Sequence, residues 1–540
     1  MSLVGLSAPS EPLCEWVESG LREIAGQDPL GIQTITTDRI LPALLPGVLA
    51  LSRRARYFSI YAFLLRRYEQ NAGRATNQGL DDFIRHREFE LGVAANLCTH
   101  CGGDGAIGNR IIGPLVGQAP ASYPRQRSVK STLGGYGLYY RSPMEELGIV
   151  VPAGRGYVED EPTPVDLLAP PARAQQLADA FESAIAGSRW YRDWMHGVDP
   201  IPAEVLEELS QVACLCRLDE YPEERKAIRD VLLSSPAPER DEPTKQRRRA
   251  FALLLDLMRT TPDVANDDGS FRDAVINAFD HDRRGNGARA SSIAQWAAAA
   301  MRDSLQDALS VIWLDFCRTG LQVQPFDGVT RAELRTLVRE HLVAGAALQI
   351  NGTQIVAAPD DPADAWVDRI TEACAGLSWQ SLCDLAIDAD SALCGLAVLL
   401  ALTQRVPDRD GASSSWLEVA RVDGDHQPGL LQMASMLRRQ QAQEGQTVGA
   451  LMQWAIDTFV VRVHDTVAMG KLPESTFRFS WEEGRLRFVD NGVWRFEASG
   501  LRRQALAEIG YDLGWWTLDD TDTPRVTADG TSVVEAVFVT

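Results

Sequence analysis

Residues 45–65 read LPGVLALSRRARYFSIYAFLL, a Pro-Gly turn followed by clustered arginines and an apolar run. The pair Pro46-Gly47 is typical of a helix end, because proline cannot continue a helix and glycine readily adopts the left-handed conformation that commonly follows the last helical turn. The continuous run from Tyr57 to Leu65 predicts a buried helix. Arginines placed directly against a buried helix are expected to hold a carboxylate or another anion.

Arg53 and Arg56 are three residues apart and share one face of the predicted helix, whereas Arg54 faces another side. A buried guanidinium without a partner costs several kcal/mol, so we expect an ion pair at Arg56. The expected partner is one of four acids: Glu88, Glu90, Asp28 or Asp38. The alternative is that the motif binds a phosphate or a partner's carboxylate, for which the guanidinium fork is suited. The binding residues would then be Arg53, Arg54, Arg56 and Tyr57.

The chain has 540 residues, of which 45% are hydrophobic and 24% charged, which predicts an ordinary globular protein with about three or four domains. Its net charge of −21 does not attract nucleic acid or an anionic membrane through the bulk field. DNA or RNA would be bound only through local basic patches. No apolar stretch reaches the ~18 residues that a membrane span needs, so we expect no membrane contact.

Nine scattered cysteines and the lack of a signal peptide predict reduced thiols and a cytoplasmic protein. Cys98-Thr-His-Cys101 resembles half of a zinc site, which needs four ligands. Cys214-Leu-Cys216 is the other close pair, and its spacing is less usual. We interpret these thiols as small apolar residues at helix ends, and we expect neither a metal nor a cofactor.

Helical periodicity predicts a mainly α, multidomain protein with a small α+β module at its C-terminal end. The predicted segments are an N-terminal helical domain (1–150), a helical segment after a proline-rich linker (173–265), a helical bundle (266–470) and the α+β module (471–540). In that module, residues 476–481 and 485–489 alternate polar and apolar around a Glu-Gly turn. A helix is predicted at 500–513, and a second hairpin around Asp529-Gly530. Hairpin–helix–hairpin resembles a winged helix.

Two short clusters are candidates for catalysis. Arg189 and His196 lie seven residues apart, on one helix face after two turns, and resemble the R-x4–6-H pattern of HEPN ribonucleases. Asp280, His281 and Asp282 combine carboxylates and an imidazole that suit Mg²⁺ or Mn²⁺. A helix core and a capping loop explain the same residues without catalysis, and we favour those interpretations. Glu224-Arg-Lys226 matches the E-x-K of restriction-type nucleases but lies in a predicted helix, so we discount it.

Several enzyme classes are excluded because their motifs are missing from the sequence. There is no Walker A loop, no G-x-S-x-G and no H-E-x-x-H. The sequence alone therefore does not identify a reaction.

Residues 28–63 read D-x-L-G…L-L-P-G-V-x-x-L-S-x-R-A-R-Y-F-x-x-Y-A-F. This pattern resembles a bacterial family that has no assigned activity and whose N-terminus combines L-x-P-G with R-A-R-Y-F. That family's G-v-I-G segment has its counterpart in Gly105-Ala-Ile-Gly108. The resemblance implies a structural motif whose members here are Asp28, Gly31, Pro46, Gly47 and Gly108.

Proteins of that family tend to be encoded beside bacterial defence or mobile-element genes, so the resemblance implies a context rather than a chemistry. Our hypothesis is a non-enzymatic sensor or scaffold subunit of an anti-phage defence system, acting with other subunits and a separately encoded effector. The alternative is a nucleic-acid-binding protein or a metal-independent nuclease that uses the arginine patches.

Overall fold

The computed structural model describes residues 28–72, 75–117, 121–124, 129–155, 162–197, 199–237, 241–471, 476–490 and 500–539. It is mainly helical with a few short strands, which confirms the predicted fold class. The chain divides into two compact units. We call Ile40–Trp296 with Gly500–Thr540 the motif unit, and Met1–Arg39 with Ala297–Ser499 the central unit.

The first α-helices of the motif unit are α1 (Leu41–Leu44), α2 (Arg56–Asn71), α3 (Asn77–Leu97), α4 (Asn109–Val116), α5 (Arg141–Glu146), α6 (Ala172–Ile185), α7 (Ala203–Ala213), α8 (Pro222–Leu233), α9 (Asp241–Met258) and α10 (Asp268–His281). The boundary between the units falls within α11 (Ala288–Val323). The central unit continues with α12 (Arg331–Leu337), α13 (Ala363–Ala373), α14 (Trp379–Ala389), α15 (Ala392–Arg405), α16 (Ser414–Ala420), α17 (Leu430–Gln441), α18 (Val448–Ala455) and α19 (Arg462–Met469). The motif unit then adds α20 (Arg503–Asp512) and α21 (Ala528–Phe538). Among the described residues, π-helical turns lie at Ile35–Ile40, Tyr136–Tyr140, Trp190–Trp194, Val338–Val343 and Ile456–Val461, and 3₁₀ turns at Leu215–Glu220, Pro262–Ala265, Arg409–Gly411 and Gly500–Arg502.

The strands are short and antiparallel. In the motif unit they form three pairs: β1 (Ser122–Tyr123) with β4 (Ile201–Pro202), β2 (Val150–Val151) with β3 (Leu167–Leu168), and β10 (Trp516–Leu518) with β11 (Pro524–Val526). In the central unit they form a three-stranded sheet in the order β5 (Val329–Thr330), β9 (Arg485–Phe488), β8 (Phe479–Glu482), and a hairpin of β6 (Ala347–Ile350) with β7 (Thr353–Val356).

Helix α2 forms the centre of the motif unit. It packs against α6, and α3 packs against α7. Phe58, Tyr61 and Phe63 of α2 are inaccessible to solvent, as the apolar run predicts. Because nearly every face of α2 is covered, its polar side chains must find partners inside the protein.

The motif glycines and Asp28 shape turns. Gly47 has φ +73°, and a Cβ there would lie 3.1 Å from the Leu147 side chain. Its N–H donates to the Glu146 carboxylate at 2.7 Å, and the neighbouring Pro46 carbonyl accepts from Arg247 at 3.0 Å. Within the central unit, the Asp28 carboxylate accepts from the backbone N–H groups of Leu30, Gln33 and Thr34.

Two further glycines have left-handed backbones that favour glycine. Gly31 has φ +61°, with Val467 of the same unit 3.1 Å from where a Cβ would lie. Gly108, at φ +75°, is the N-cap of α4. Both glycines therefore occupy backbone conformations that residues with a Cβ rarely adopt.

The two units do not coincide with the four segments predicted from the sequence. The described parts of 1–150 and 173–265 fall mostly into one unit, the motif unit. The predicted module 471–540 is divided at residue 499, between the central unit and the motif unit.

One hairpin of the C-terminal region is confirmed and the other is wrong. Strands β8 and β9 pair around Glu483-Gly484 as expected, with Phe479 opposite Phe488. The residues around Asp529-Gly530 form helix α21 instead of a hairpin, because the Thr527 side chain accepts from the Gly530 N–H at 3.1 Å and caps the helix. An aspartate in the first turn also favours a helix. The order is therefore hairpin–helix–hairpin–helix, with the second hairpin formed by β10 and β11. Because the β8–β9 hairpin belongs to the central unit and the remaining elements belong to the motif unit, the winged-helix analogy does not hold.

The β6–β7 hairpin lies inside the predicted helical bundle, where only helices were expected. Its turn is Asn351-Gly352, with φ of +49° and +79°. Asn-Gly is the pair that such a tight turn favours, so the signal was present in the sequence. Within the described residues, no helix is long and apolar enough to cross a membrane.

Replacement of Thr527 and Thr531 tests helix α21. Thr527→Ala removes the N-cap and is expected to lower the free energy of unfolding by about 1 kcal/mol. Thr531→Ala, inside the helix, is expected to be neutral or slightly stabilising, because alanine has the higher helix propensity. Denaturant titration of both variants measures this; a destabilising Thr531→Ala together with a neutral Thr527→Ala would instead indicate a strand.

Candidate functional site

Arg56, the second arginine of the R-A-R-Y-F motif, is fully buried and pairs with Glu224 of α8. Its Nε and Nη2 donate to the two carboxylate oxygens of Glu224 at 3.1 and 2.9 Å. Ser59 Oγ, one turn along α2, donates to the same carboxylate at 2.6 Å. Both partners have no exposed side-chain surface. An ion pair at Arg56 was expected, but Glu224 was not among the four acids proposed, so the predicted partner is wrong.

The four acids proposed as partners are engaged elsewhere. Glu88 accepts hydrogen bonds from the N–H groups of Gly135 and Tyr136 and from the Tyr61 hydroxyl. Glu90 accepts a hydrogen bond from Trp190 and forms an ion pair with Arg87. Asp28 binds backbone N–H groups, and Asp38 accepts a hydrogen bond from Thr37. Burial raises the pKa of Glu88 to about 7 against these hydrogen bonds. Glu224 belongs to the E-x-K triplet that we discounted because of its predicted helix, and the helix is confirmed.

Arg56 also binds the end of helix α7. Its Nη1 donates to the Cys214 carbonyl at 2.5 Å, and its Nη2 donates to the Val212 carbonyl at 2.8 Å. The last carbonyls of a helix lack partners within the helix, and a cation is favoured there. Arg56 therefore fixes the chain where α7 ends and Cys214–Cys216 begins.

Arg54 joins α2 to α20 and to the loop after Cys101. Its Nε and Nη2 donate to the Asp512 carboxylate at 3.0 and 2.9 Å, and its Nη1 donates to the Asp104 carbonyl at 3.2 Å. Burial opposes the charge of Arg54, but Asp512 outweighs it and raises the arginine pKa. Arg53 is more exposed, and its Nη1 lies 3.5 Å from Glu508 of α20.

Tyr57 holds the same loop from a second point. Its hydroxyl accepts from the Ile107 N–H at 2.9 Å, and its ring stacks on Tyr61 with centroids 5.4 Å apart. Arg54, Arg56 and Tyr57 are thus occupied by this chain, and the proposed ligand-binding surface of the motif is reduced to the edge at Arg53.

The structure brings together the two cysteine pairs that the sequence analysis treated separately. The sulfurs of Cys98, Cys101, Cys214 and Cys216 all lie within 4.8 Å of one another. Nearest distances are 3.3 Å for Cys101–Cys214, 3.5 Å for Cys214–Cys216 and 3.7 Å for Cys98–Cys216. Cys98 and Cys214 are the C-cap residues of α3 and α7, so the thiols lie at helix ends as interpreted, but the two pairs form one four-cysteine cluster. Cys14 lies outside the described residues.

The cluster is partly shielded from solvent. Cys98 and Cys214 are buried, and Cys101 and Cys216 are half-buried. Burial raises the pKa of Cys214, and it raises that of Cys216 to about 12. Burial opposes ionisation of Cys98 as well, but the N–H groups of His100 and Cys101 outweigh it and lower its pKa to about 7. Among the described residues, the side chains placed closely enough to share one metal ion are these four cysteines.

Arg189 and His196 do not form the expected helical pair. The intervening Trp190–Trp194 is a π-helical turn, so seven residues do not complete two α-helical turns. Arg189 Nε donates to Glu208 at 2.6 Å, and Trp190 is fully buried with its Nε1 on Glu90. His196 is largely exposed, and partial desolvation of its ring together with the positive charges of Arg67 and Arg87 lowers its pKa.

Asp280, His281 and Asp282 lie exposed at the end of α10 rather than around a cation site. His281 Nδ1 lies 2.7 Å from the Asn277 carbonyl of its own helix, and Asp280 pairs with Arg283 at 2.8 Å. These contacts are those of a helix terminus, as the favoured interpretation expects.

A cleft of the central unit carries arginines that remain available. It has a volume of about 570 Å³ and lies along α17, with Gln432, Ser435 and Met436 in its wall. Arg421, Arg439 and Asp423 line it and are exposed, so two cations and one carboxylate face the cleft. Within the described part of the chain neither arginine forms an ion pair.

The protein so defined is a mainly helical chain in which an arginine motif supports a four-cysteine cluster. No protein-family model matches the sequence, and no similar curated protein or solved structure was found. Its function is therefore inferred from its own residues.

Loss of the Arg56–Glu224 pair should be costly. Arg56→Met leaves a buried carboxylate without its cation and is expected to destabilise the protein by about 3–5 kcal/mol. The double variant Arg56→Met, Glu224→Leu removes both charges and should lose much less than the sum of the two single variants. Denaturant unfolding measures this, with the exposed pair Lys226→Met, Asp230→Leu as a control expected to change little. Additive losses at Arg56 and Glu224 would contradict the pairing.

Proposed function

We propose that this protein is a non-enzymatic scaffold or sensor subunit of a bacterial anti-phage defence system, acting in the cytoplasm with a separately encoded effector. The observation that carries this proposal is the internal use of the motif. Arg54 holds Asp512, 458 residues away, and Arg56 holds Glu224, 168 residues away. The motif thereby organises the fold of its unit instead of presenting its cations to a ligand.

Two other features support the proposal. The candidate catalytic residues form contacts typical of helix surfaces and helix ends: Arg189 forms an ion pair with Glu208, and His281 Nδ1 contacts the Asn277 carbonyl. The defence context follows from the resemblance of the L-x-P-G and R-A-R-Y-F motifs. A fixed helical frame is suited to presenting surfaces to protein partners, because preorganised surfaces lose little entropy on binding.

The test is purification of a tagged chain from its native host, with mass spectrometry of the proteins and quantification of nucleic acid. We expect stable recovery of an effector encoded nearby, such as an ATPase or nuclease, and no nucleolytic activity in the isolated chain. Cleavage of DNA or RNA by the isolated protein, lost in His196→Ala or His281→Ala, would contradict the proposal.

A second candidate function, binding of nucleic acid, is favoured by the cleft that Arg421 and Arg439 line. The acidic chain would bind a phosphate backbone only at a local site, and these guanidinium groups have no carboxylate partner among the described residues. The motif arginines are less suited to this role, because Asp512 and Glu224 neutralise two of them.

Salt dependence distinguishes this candidate. If single-stranded DNA or RNA binds at the cleft, Arg421→Ala, Arg439→Ala should lower the slope of log affinity against log salt by about 2, one for each phosphate that is no longer neutralised. The matched control is Arg335→Ala, Arg409→Ala, which removes the same charge from exposed positions of the same unit that do not line the cleft. Equal slopes for both double variants, or no binding at low salt, would reject the cleft as a nucleic-acid site.

A further inference from the structure

The four-cysteine cluster has the composition and spacing of a metal site. We propose that Cys98, Cys101, Cys214 and Cys216 bind one Zn²⁺ ion in a closed structural site. This inference is independent of the proposed function, because it rests on the cysteines and on the loops that carry them.

The sulfur spacing fits a single tetrahedral ion. Zinc–thiolate bonds of about 2.3 Å place the four sulfurs of a tetrahedral site about 3.8 Å apart. The nearest sulfur distances in the cluster are 3.3–3.7 Å, and every pair lies within 4.8 Å. An ion at the centre therefore needs sulfur displacements of only a few tenths of an ångström for the nearest pairs.

The same distances argue against other uses of four thiols. A disulfide requires sulfurs about 2.05 Å apart, well below the shortest separation of 3.3 Å. An iron–sulfur cluster places several iron and sulfide atoms between its cysteines and needs a wider cage. A mononuclear ion with soft ligands remains, and for a tetrahedral set of four thiolates zinc is the usual choice.

The position of the cluster also calls for a cation. Helices α3 and α7 end immediately before Cys98 and Cys214, so the carbonyl ends of two helices point toward this region. Carbonyl ends carry partial negative charge, which disfavours thiolates collected there. Arg56 already binds the carbonyl end of α7, and a divalent ion bound by the thiolates would offset the mutual repulsion of the sulfurs and the end of α3.

The turn after α3 is built to direct donors toward sulfur. The backbone N–H groups of His100 and Cys101 act electrostatically on the Cys98 sulfur, as the Cys216 N–H does on Cys214. Gly102 and Gly103 follow with φ of +57° and +84°, a backbone that allows the chain to turn back directly after Cys101. Hydrogen bonds from backbone N–H groups stabilise a sulfur that carries negative charge.

The arginine motif forms the layer behind the ligands. Arg56 holds the carbonyls of Val212 and Cys214, and Arg54 with Tyr57 holds the loop 104–107 that follows Cys101. Groups that orient metal ligands from behind commonly change metal affinity by about 10–100-fold when they are removed. Arg56 is therefore a positioning residue for Cys214.

A closed site of this kind is structural. Four protein ligands leave no coordination position for a substrate, and the small residues Ala95 and Ala106 pack beside the sulfurs. The ion would join two segments that are more than a hundred residues apart in sequence, as the Cys101–Cys214 separation of 113 positions shows. Binding would release the protons of the ligating thiols to solvent.

The experiment is metal analysis of the full chain purified without chelators from zinc-supplemented cells. We expect about one zinc per chain, coordinated by sulfur alone in X-ray absorption at the zinc edge. Cys98→Ser, Cys101→Ser should lower the zinc content about tenfold or more. The control Cys374→Ser, Cys394→Ser also removes two thiols, both of them buried, but should keep its zinc, because these residues lie outside the cluster.

A variant that fails to fold would not decide the question, so the wild-type chain provides a second measurement. Zinc release by a thiol-specific mercurial should follow modification of the cluster cysteines, and reconstitution with Co²⁺ should give the thiolate charge-transfer absorption of tetrahedral sulfur coordination. Zinc-free protein with four alkylatable cluster thiols, or with two disulfides found by mass spectrometry, would overturn the proposal. Iron in place of zinc would overturn the assignment of the ion.

The variant Arg56→Lys tests whether Arg56 positions the zinc ligands or only stabilises the fold. Lysine keeps the positive charge, but its single ammonium group lacks the planar fork with which arginine binds Glu224 and two carbonyls at once. Zinc affinity, measured by competition with a chromophoric chelator, should fall about 10–100-fold. Unchanged affinity would show that Arg56 does not position the cysteines.

Discussion

The buried ion pair between Arg56 and Glu224 constrains the rest of the motif unit. A guanidinium removed from water is tolerated only when its charge and its donors are satisfied. Here one carboxylate and two carbonyls at the α7 end accept hydrogen bonds from it, and the Tyr221 ring lies 4.9 Å from it. Helices α2, α7 and α8 must therefore keep one relative arrangement. Any sliding of α2 would separate Arg56 from its partners, and the cost would exceed that of most surface changes.

The motif also positions the cysteine-bearing segments, because side chains of one short segment contact parts of the unit that are distant in sequence. Arg56 binds the chain before Cys216, while Arg54 and Tyr57 bind the loop after Cys101. The two halves of the four-cysteine cluster are thus positioned by the start of one helix. This explains why arginines stand beside an apolar run without forming an exposed basic patch.

Local features of the site could be predicted from the sequence, and long-range pairing could not. The buried helix α2 and each cysteine pair are visible as patterns. Neither the helix period nor residue spacing shows that Glu224 faces Arg56, because that contact depends on how α8 packs in three dimensions. The same limit separated the cysteine pairs. Local rules also conflict, since Asp529-Gly530 suits a hairpin and a capped helix equally, and only the cap from Thr527 decides between them.

The long sequence separation of these contacts has a consequence for synthesis of the chain. At about 5–20 residues per second, a ribosome that has made Cys101 needs roughly 6–20 s more to reach Cys214, 113 positions later. Asp512 follows Arg54 by 458 positions, which corresponds to roughly 25–90 s. Arg54 therefore stays without its carboxylate until α20 has been made. A product that stops earlier lacks this closing contact, so the fold distinguishes a complete motif unit from a truncated one before any partner is met.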